Sequence, residues 1–257
     1  MTTETNPQST GNPASATRPG VWGTLGEPRI GAALEHAGFD WVCLDGQHGH
    51  YDDASVRATL ALRKTPAAKI LVRVLSQDGP LIGRALDAGA DGVIVPMVQS
   101  AEEAEQVVRA AHYPPRGNRS FGPMYGAPYG TSTGIPGRPM VAVMVETQTA
   151  LDDVERIART PDLDMIFVGP FDLSLALGRQ MPEVLADTAR DAPLPKVVAA
   201  CRAAGIIPGA FAGDPQRARA MFEHGFEWVA VTSDVGLLGI GGEQARHVAV
   251  GSTATAG

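Results

Sequence analysis

Short apolar runs alternate with helical patterns along most of the chain, and this alternation constrains the fold more than any other feature. Eight apolar runs predict strands, and helical stretches lie between them. Such alternation predicts a parallel sheet covered by helices. Eight strand–helix units within about 230 residues fit a closed (β/α)8 barrel better than an open doubly wound sheet. The predicted strands are Val21–Leu25, Trp41–Leu44, Lys69–Val74, Gly92–Val95, Val141–Val145, Met165–Val168, Ile206–Ala210 and Trp228–Val231.

A near-repeat of helix end, glycine, acidic turn and strand supports the barrel. It occurs as HAGFDWVCLD, DAGADGVIVP and EHGFEWVAVTSD. No G-x-G-x-x-G motif opens a helix and there is no phosphate loop, so a dinucleotide-binding fold lacks its main support. The predicted helices are Pro28–Ala37, Asp53–Arg63, Pro80–Ala88, Ala101–Ala111, Ala150–Arg159, Leu173–Leu177, Lys196–Ala204, Pro215–His224 and a last helix toward Val248.

We predict one barrel domain over residues 20–248, between disordered tails at 1–19 and 249–257. The first tail is rich in Thr, Asn, Pro and Ser, and it lacks the apolar core of a secretory signal. One stretch does not fit the pattern, the Gly- and Pro-rich segment Tyr113–Pro139. Loops of that length are usually functional or disordered. On a barrel, this one would reach over the catalytic face or a neighbouring subunit.

Charge and cysteine usage exclude several classes of protein. The chain has 28 acidic and 21 basic residues, a net charge of −7, and no basic stripe, which argues against nucleic acid as a partner. No apolar run approaches the ~18 residues needed to cross a bilayer, which argues against a membrane protein. Cys43 and Cys201 form no metal-binding spacing, and nothing demands a disulfide between them. We therefore expect the protein in the reducing cytoplasm.

Polar residues follow the predicted strands at the end where barrel enzymes carry their active sites. If the strands are placed correctly, these side chains converge on one mouth of the barrel. They are Asp45, Gln47 and His48 after the second strand, Arg73 on the third, Glu146 after the fifth, Asp172 after the sixth, and Ser233 and Asp234 after the eighth.

Two of these carboxylates leave adjacent strands at matching positions. Glu146 lies in VMVET and Asp172 lies in FVGPFD. Carboxylate oxygens suit a hard divalent cation such as Mg²⁺ or Mn²⁺. Such a cation could bind a 2-oxo acid and stabilise its enolate as a Lewis acid. The alternative is that each residue caps the helical turn that follows it, and the nearby Arg73 and His48 reduce the weight of that alternative.

Arg73 lies in an otherwise apolar strand, where a buried arginine is costly unless it is paired. A carboxylate or enolate ligand is one possible partner, and a structural salt bridge to Asp45 or Glu146 is the alternative. His48 could act as a general base, although a single loop histidine is often only a solvated residue. No lysine lies at the predicted mouth, which disfavours Schiff-base chemistry and favours a metal-assisted reaction. The lysines are Lys64, Lys69 and Lys196.

With these residues in place, the chain resembles the HpcH/HpaI family of class II pyruvate aldolases. The matching segments are AGFDWVCLDGQHGHYD, LVRV, RALDAGADGVIVPMVQSAEEAEQVVRAAHYPPRGNRSFGP, VMVET, IFVGPFDLSLALG and AVTSDVGLL, in that order. The resemblance implies a homo-hexamer of (β/α)8 barrels, a trimer of dimers with the last helix exchanged between partners. It also implies a carbon–carbon lyase that cleaves or forms 4-hydroxy-2-oxo acids from pyruvate and an aldehyde, with Mg²⁺, Mn²⁺ or Co²⁺ as cofactor.

The resemblance further implies a role for each matching residue. The pyruvate carboxylate would meet backbone amides near Phe171, and the Asp87 side chain would orient the catalytic histidine of a neighbouring subunit. The implied metal ligands are Glu146 and Asp172, with Asp45 and Gln47 holding metal-bound water; the implied catalytic residues are His48, Arg73 and Asp87; the implied substrate-binding residues are Trp22, Arg73, Gly169, Phe171 and Asp172.

Two positions depart from the family pattern. Gln47 stands where many relatives have Glu, so a charge beside the metal site is absent. Phe171 stands where a small residue is usual, and its ring is expected to narrow the pocket. Two other functions stay open at this point: an acyl-CoA lyase of the citrate-lyase-like type, which needs an extended basic groove for the nucleotide, and a non-catalytic barrel that only binds a ligand.

Overall fold

The computed structural model describes residues 17–63, 66–122 and 137–250. Within these ranges, eight parallel strands close into one barrel in sequence order, so the predicted (β/α)8 fold is confirmed. The strands are β1 Arg18–Gly23, β2 Trp41–Asp45, β3 Lys69–Arg73, β4 Gly92–Val95, β5 Met140–Val145, β6 Met165–Val168, β7 Ile207–Phe211 and β8 Trp228–Ser233.

Helices connect the strands on the outside of the barrel. Most begin at a proline in the first turn or at a capping Asp, Ser or Thr, as the sequence rules for helix starts require. They are α1 Pro28–Leu34, α2 Asp53–Ala61, α3 Gly79–Asp87, α4 Ala101–Ala111, α5 Gln148–Asp152, α6 Val154–Ala158, α7 Pro170–Ala176, α8 Met181–Ala186, α9 Pro193–Ala204, α10 Pro215–His224 and α11 Asp234–Val250.

Side chains alternate between the two faces of each strand, which places every second residue inside the barrel. On β2, Trp41 and Cys43 point into the barrel, while Val42 and Leu44 pack against the helices. Gly20 of β1 is required by this packing, because a Cβ there would lie 2.1 Å from the ring of Trp41. The interior cluster comprises Trp22, Trp41, Cys43, Leu71, Ile94, Ala142, Met144, Met165, Phe167, Trp228 and Ala230.

The first strand and the last helix extend slightly past the predicted domain limits at residues 20 and 248. The predicted N-terminal tail ended at residue 19, but β1 begins at Arg18, whose carbonyl accepts a hydrogen bond from the Trp41 indole at 3.0 Å. The predicted barrel ended at residue 248, but α11 runs to Val250. Residues 1–16 and 251–257 of the predicted tails, and residues 123–136 of the long Gly- and Pro-rich loop, lie outside the described residues.

The last helix, α11, has little contact with the barrel beyond its first turn. Asp234 is its only buried residue. Its exposed apolar side chains include Leu238, Ile240, Val248 and Val250. Across the described ranges, no helix is long and apolar enough to cross a membrane.

Candidate active site

The inward-facing positions of the strands continue past the interior cluster to the carboxyl ends of the strands, and several residues at these last positions are polar. On β2 the inward positions 41 and 43 lead to Asp45, and on β3 Leu71 leads to Arg73. The ladder pairs Asp45 directly with Arg73. Glu146 follows the last residue of β5, and Gly169 follows the last residue of β6, both in the inward register. Strand geometry thus brings these residues to one mouth.

A cavity of about 240 Å³ opens at this mouth. Most of the site residues predicted from the sequence line it, so the second, third and sixth strands direct their polar ends to one place. Glu146 does not line the cavity but lies directly beneath Gly169. The lining residues are Trp22, Thr24, Asp45, His48, Arg73, Met144, Gly169, Phe171, Asp172 and Phe211.

Asp45 and Arg73 form a buried, two-pronged ion pair. Arg73 Nε and Nη2 donate to the two carboxylate oxygens at 2.8 and 2.7 Å, and its guanidinium lies 5.1 Å from the centre of the Trp22 ring. Burial opposes ionisation of Asp45, but the hydrogen bonds and charge of Arg73 outweigh it and lower the pKa of Asp45. The salt bridge considered from the sequence is therefore present. It leaves Arg73 Nη1 available to a ligand, because neither hydrogen bond uses that nitrogen.

Asp45 accepts three further hydrogen bonds. The Trp22 indole donates to Oδ2 at 3.1 Å, and the backbone amides of Gln47 and His48 donate to Oδ1 at 3.0 and 3.3 Å. Both carboxylate oxygens are thus already hydrogen-bonded, and the role of Asp45 toward water stays a prediction. The Gln47 side-chain oxygen is buried without a hydrogen-bond partner in the part of the chain that the structure describes.

Glu146 is a buried carboxylate close to a second one. Its side chain is almost inaccessible, and Oε1 accepts a hydrogen bond from the Met97 amide at 2.8 Å. Burial raises the pKa of Glu146, and the charge of Asp172 raises it further, against the lowering effects of the Met97 amide and Arg73. Met97 itself has a φ of +58°, a left-handed conformation that a methionine rarely adopts.

The arrangement of Glu146, Asp172 and Gly169 fits a divalent cation. A Cβ at position 169 would lie 2.7 Å from Glu146 Oε2, so the glycine keeps the space above this oxygen open. Carboxylate oxygens such as these are the hard donors that Mg²⁺ and Mn²⁺ prefer. The described residues contain no cluster of three or more His, Cys, Asp or Glu side chains that could hold a metal, so this pair would supply only two ligands.

Helix capping, the alternative considered for both carboxylates, is wrong. The helix after β5 is capped by Thr147, whose hydroxyl accepts from the Ala150 amide at 3.1 Å, while Glu146 turns toward Met97. Asp172 lies in the first turn of α7, and the N-cap of that helix is Gly169 without a side-chain hydrogen bond. Neither carboxylate is therefore the N-cap of the helix that follows it.

Asp87 lies outside this cavity. It ends α3, and its carboxylate forms an ion pair with the buried Arg119. Both residues line a separate surface cavity of about 770 Å³ between α3 and α4. Within one chain, Asp87 therefore does not join the site, and its predicted action on the histidine of a neighbouring subunit stays a prediction.

Three lining residues were missed by the sequence analysis, although the alternation rule could have found two of them. Thr24 lies two positions after Trp22, and Met144 lies two positions before Glu146, both in the inward register. Phe211 ends β7, and the search for polar residues at strand ends passed over this strand because it contains none.

Asp234, predicted at the mouth, is a structural anchor there. Its carboxylate accepts hydrogen bonds from the Thr24 amide at 2.8 Å, the Thr24 hydroxyl at 2.7 Å and the Leu25 amide at 2.9 Å. The end of β8 thereby fixes the loop after β1. Thr24 is held against the cavity by this contact.

The polar side chains thus converge at the carboxyl end of a closed (β/α)8 barrel, the end at which barrel enzymes carry their active sites. The chain belongs to the HpcH/HpaI aldolase/citrate lyase family, whose model matches residues 18–239. Aldolases are carbon–carbon lyases, and class II pyruvate aldolases generally depend on a divalent metal.

Curated and structural relatives agree with this assignment. The chain is 35% identical to a hydroxypyruvate/pyruvate aldolase of Paraburkholderia phytofirmans over 91% of this chain and 94% of the relative. It is 38% identical to a 4-hydroxy-2-oxovalerate aldolase of Rhodococcus jostii over 86% of this chain and 87% of the relative. A crystal structure of a family protein from Burkholderia cenocepacia superposes with a TM-score of 0.76 at 31% identity, covering 91% of this chain and 95% of that one.

Proposed function

We propose that this protein is a divalent-metal-dependent aldolase that cleaves or forms 4-hydroxy-2-oxo acids, with a 2-oxo acid such as pyruvate and an aldehyde as the other reactants. The observation that carries the proposal is the buried Glu146 carboxylate, held beneath Gly169 and close enough to Asp172 for the two charges to interact. Among the relatives, the hydroxypyruvate/pyruvate and 4-hydroxy-2-oxovalerate aldolases support this choice of reaction.

Glu146 and Asp172 would hold the cation, and Mg²⁺, Mn²⁺ and Co²⁺ are the candidates. When bound, the cation would supply a Lewis acid for the keto oxygen of the 2-oxo acid. Burial, and then the charge of Asp172, raise the pKa of Glu146. This favours the role, because a cation would relieve the repulsion between the two carboxylates.

The remaining residues bind the 2-oxo acid and move protons. Arg73 would donate from Nη1 to the keto oxygen, where negative charge develops as the C3–C4 bond breaks. Its own position is fixed by Asp45, so this donor needs no reorganisation. The backbone amides of Phe171 and Asp172 belong to the first turn of α7, where helix amides have no partner within the helix, and they would receive the substrate carboxylate.

His48 would transfer the proton. In the cleavage direction the C4 hydroxyl loses its proton as the C3–C4 bond breaks, and C3 of the enolate takes one up. An imidazole can accept and donate a proton near neutral pH. Among the residues that the structure describes, His48 is the only histidine that lines the cavity. Its backbone amide is fixed by Asp45, which keeps the imidazole at the mouth.

Exchange of the pyruvate methyl protons for deuterium tests the proposal without any aldehyde. We expect the wild type to catalyse this exchange, followed by NMR, only with a divalent metal present. Glu146→Gln and Asp172→Asn should lose it, and calorimetry should show Mn²⁺ binding weakened by at least about 100-fold. The exposed Glu223→Gln is the matched control and should change neither measurement. Full exchange and Mn²⁺ binding in Glu146→Gln would contradict the proposal.

The acyl-CoA lyase alternative finds less support. The cavity is small, and within the described part of the chain Arg73 is the only arginine or lysine that lines it. Its charge is already matched by Asp45. An extended basic groove for a nucleotide is therefore not formed at this mouth by the described residues. Turnover that requires coenzyme A would reverse this preference.

We also propose the hexamer of the family and a cytoplasmic location. The exposed apolar side chains of α11 are consistent with exchange of this helix between partners. Both cysteines are free and buried, which is consistent with a reducing compartment. Light scattering coupled to size-exclusion chromatography measures the assembly directly, and a monomer would exclude the hexamer.

A further inference from the structure

A continuous aromatic wall forms one side of the cavity. Trp22 stacks on Phe167 in the interior, with ring centres 5.6 Å apart. Phe211 meets the edge of Trp22 at 5.2 Å, and Phe171 lies against Phe211 at 6.2 Å. The wall therefore runs from the buried interior to the mouth, and it ends at Phe171, whose side chain is partly exposed.

An arginine lies against the outermost ring of this wall. The Arg217 guanidinium is 5.5 Å from the centre of the Phe171 ring, and its Nε donates to the Ala212 carbonyl at 2.8 Å. Within the described ranges, no carboxylate lies within 4.0 Å of this guanidinium. Arg217 does not line the cavity, whereas Phe171 does. The ring of Phe171 thus lies between the cavity and a cation that has no ionic partner among the described residues.

Among the described residues, Arg73 is the one arginine or lysine that lines the cavity. The charge of Arg73 is paired with Asp45, and the other acidic side chain in the cavity lining is Asp172. The volume of about 240 Å³ is below the roughly 300–1,000 Å³ of common ligand pockets. A 2-oxo acid fills part of this space, so the second reactant must be short. A carboxylated aldehyde would meet the aromatic wall and carboxylates rather than a cation.

We infer that Phe171 is a specificity-determining residue, whose ring limits the aldehyde to short, uncharged acceptors and screens Arg217 from the cavity. This inference rests on the proposed aldolase function and names the class of its second substrate. Arg217 is a positioning residue in the wild type, because its contact with the ring face holds Phe171 across the mouth. Removal of the ring would open the cavity toward the guanidinium and create a site for an anionic aldehyde.

Two four-carbon aldehydes that differ by one carboxylate test this inference. Butanal and 4-oxobutanoate are each condensed with pyruvate, and the ratio of their kcat/KM values is measured for every variant. The wild type should prefer butanal. Phe171→Ala should shift the ratio toward 4-oxobutanoate by at least about tenfold, the effect of one added charge-assisted hydrogen bond. Because each ratio is taken within one variant, altered 2-oxo acid binding cancels.

Further variants separate size from charge. Phe171→Ala combined with Arg217→Gln should lose the gain toward 4-oxobutanoate but keep an increased rate with the longer, uncharged hexanal. Phe171→Leu retains an apolar side chain and should keep most of the wild-type preference, which keeps the test usable if the alanine variant folds poorly. An unchanged ratio in Phe171→Ala, or an equal gain in the double variant, would overturn the inference.

Pyruvate methyl exchange distinguishes failure of this inference from failure of the proposed function. The exchange needs no aldehyde, so its absence in the wild type would refute the aldolase itself. Exchange in the wild type and in Arg217→Gln, together with unchanged aldehyde ratios in all Phe171 variants, would refute only the role of Phe171.

Discussion

Replacement of Asp45 by asparagine is expected to destabilise the barrel strongly, before any effect on catalysis is considered. Asp45 is 2% exposed and Arg73 is 8% exposed. The carboxylate accepts five N–H hydrogen bonds, two of them from Arg73. Asparagine keeps the shape of the side chain but removes the negative charge. Arg73 would then remain largely buried without the carboxylate that balances its charge.

The magnitude follows from the burial of both partners. Breaking a buried ion pair by neutralising one member costs about 3–5 kcal/mol, mainly through the charge that is left unpaired. For a chain of this size, each kcal/mol shifts Tm by about 2–4 °C, so the variant should melt about 6–20 °C below the wild type. An exposed pair provides the contrast. Glu223→Gln breaks the surface pair of Glu223 with Arg219 and should change stability by less than about 1 kcal/mol.

The same pair predicts how stability depends on pH. The pKa of Asp45 in the folded protein lies below its ordinary value of 3.8. The stability that its ionised form contributes is therefore present above that value and is lost as the pH falls through the folded pKa. Asp45→Asn has no such group, so the difference between variant and wild type should be largest at neutral pH and shrink below about pH 4.

Urea unfolding at several pH values, followed by tryptophan fluorescence, measures both effects. Trp22 reports directly, because it contacts both members of the pair. An Asp45→Asn variant with the wild-type unfolding midpoint at neutral pH would refute the reasoning. So would a difference that stays constant between neutral and acidic pH, since the charge of Asp45 would then contribute nothing.

Two further predictions concern the carboxylate beneath Gly169. With divalent metal removed by a chelator, Glu146→Gln should be more stable than the wild type at alkaline pH, because burial and then Asp172 raise the pKa of Glu146 and disfavour its charge. The stability that protonated Glu146 contributes is present below its unfolded pKa and is lost as the pH rises through its folded pKa. The stability advantage of Glu146→Gln over the wild type should therefore vanish in acid. Urea midpoints of the two proteins that do not converge at acidic pH would contradict this prediction. Met97→Gly should raise the free energy of unfolding by about 0.5–1 kcal/mol, because glycine tolerates the φ of +58° and keeps the amide bonded to Glu146. A loss of stability in urea titrations would show that the left-handed conformation is not a source of strain.

The fold was largely predictable because barrel strands are short apolar runs with clear boundaries. Gly92–Val95, Met165–Val168 and the helices Ala101–Ala111 and Pro215–His224 have the bounds that the sequence predicts. One predicted helix, Ala150–Arg159, is instead two helices separated at Asp153. The periodicity is unbroken there, but the Asp153 carboxylate accepts a hydrogen bond from the Ala101 amide at 2.8 Å, a contact between distant segments that local sequence does not encode.

A short helix, Met181–Ala186, was missed altogether. Its signal is present in the sequence, because Pro182 lies in the first turn and Glu183 accepts from the Gln180 amide at 3.3 Å. With only six residues, the segment is too short to show a helical period, so the pattern that found the longer helices could not detect it.

The site was predictable as a set of residue types but not as a set of contacts. Strand ends identified Asp45, Arg73, Glu146 and Asp172 because barrel geometry brings the carboxyl ends together. The pairing of Asp45 with Arg73 depends on the register between β2 and β3, which the sequence does not state. The Met97 amide reaches Glu146 only because its backbone is left-handed, and nothing about a methionine predicts that conformation.

The anchor of Thr24 by Asp234 has a consequence for biosynthesis. The two residues are separated by 210 positions, so a nascent chain that has released the first strand from the ribosome still lacks the group that fixes its loop. The part of the cavity that Thr24 lines is therefore completed last, after the eighth strand has emerged and paired with the first. Ribosome-bound intermediates can pack much of their interior, yet the cavity at the mouth stays incomplete until the eighth strand and Asp234 have been synthesised.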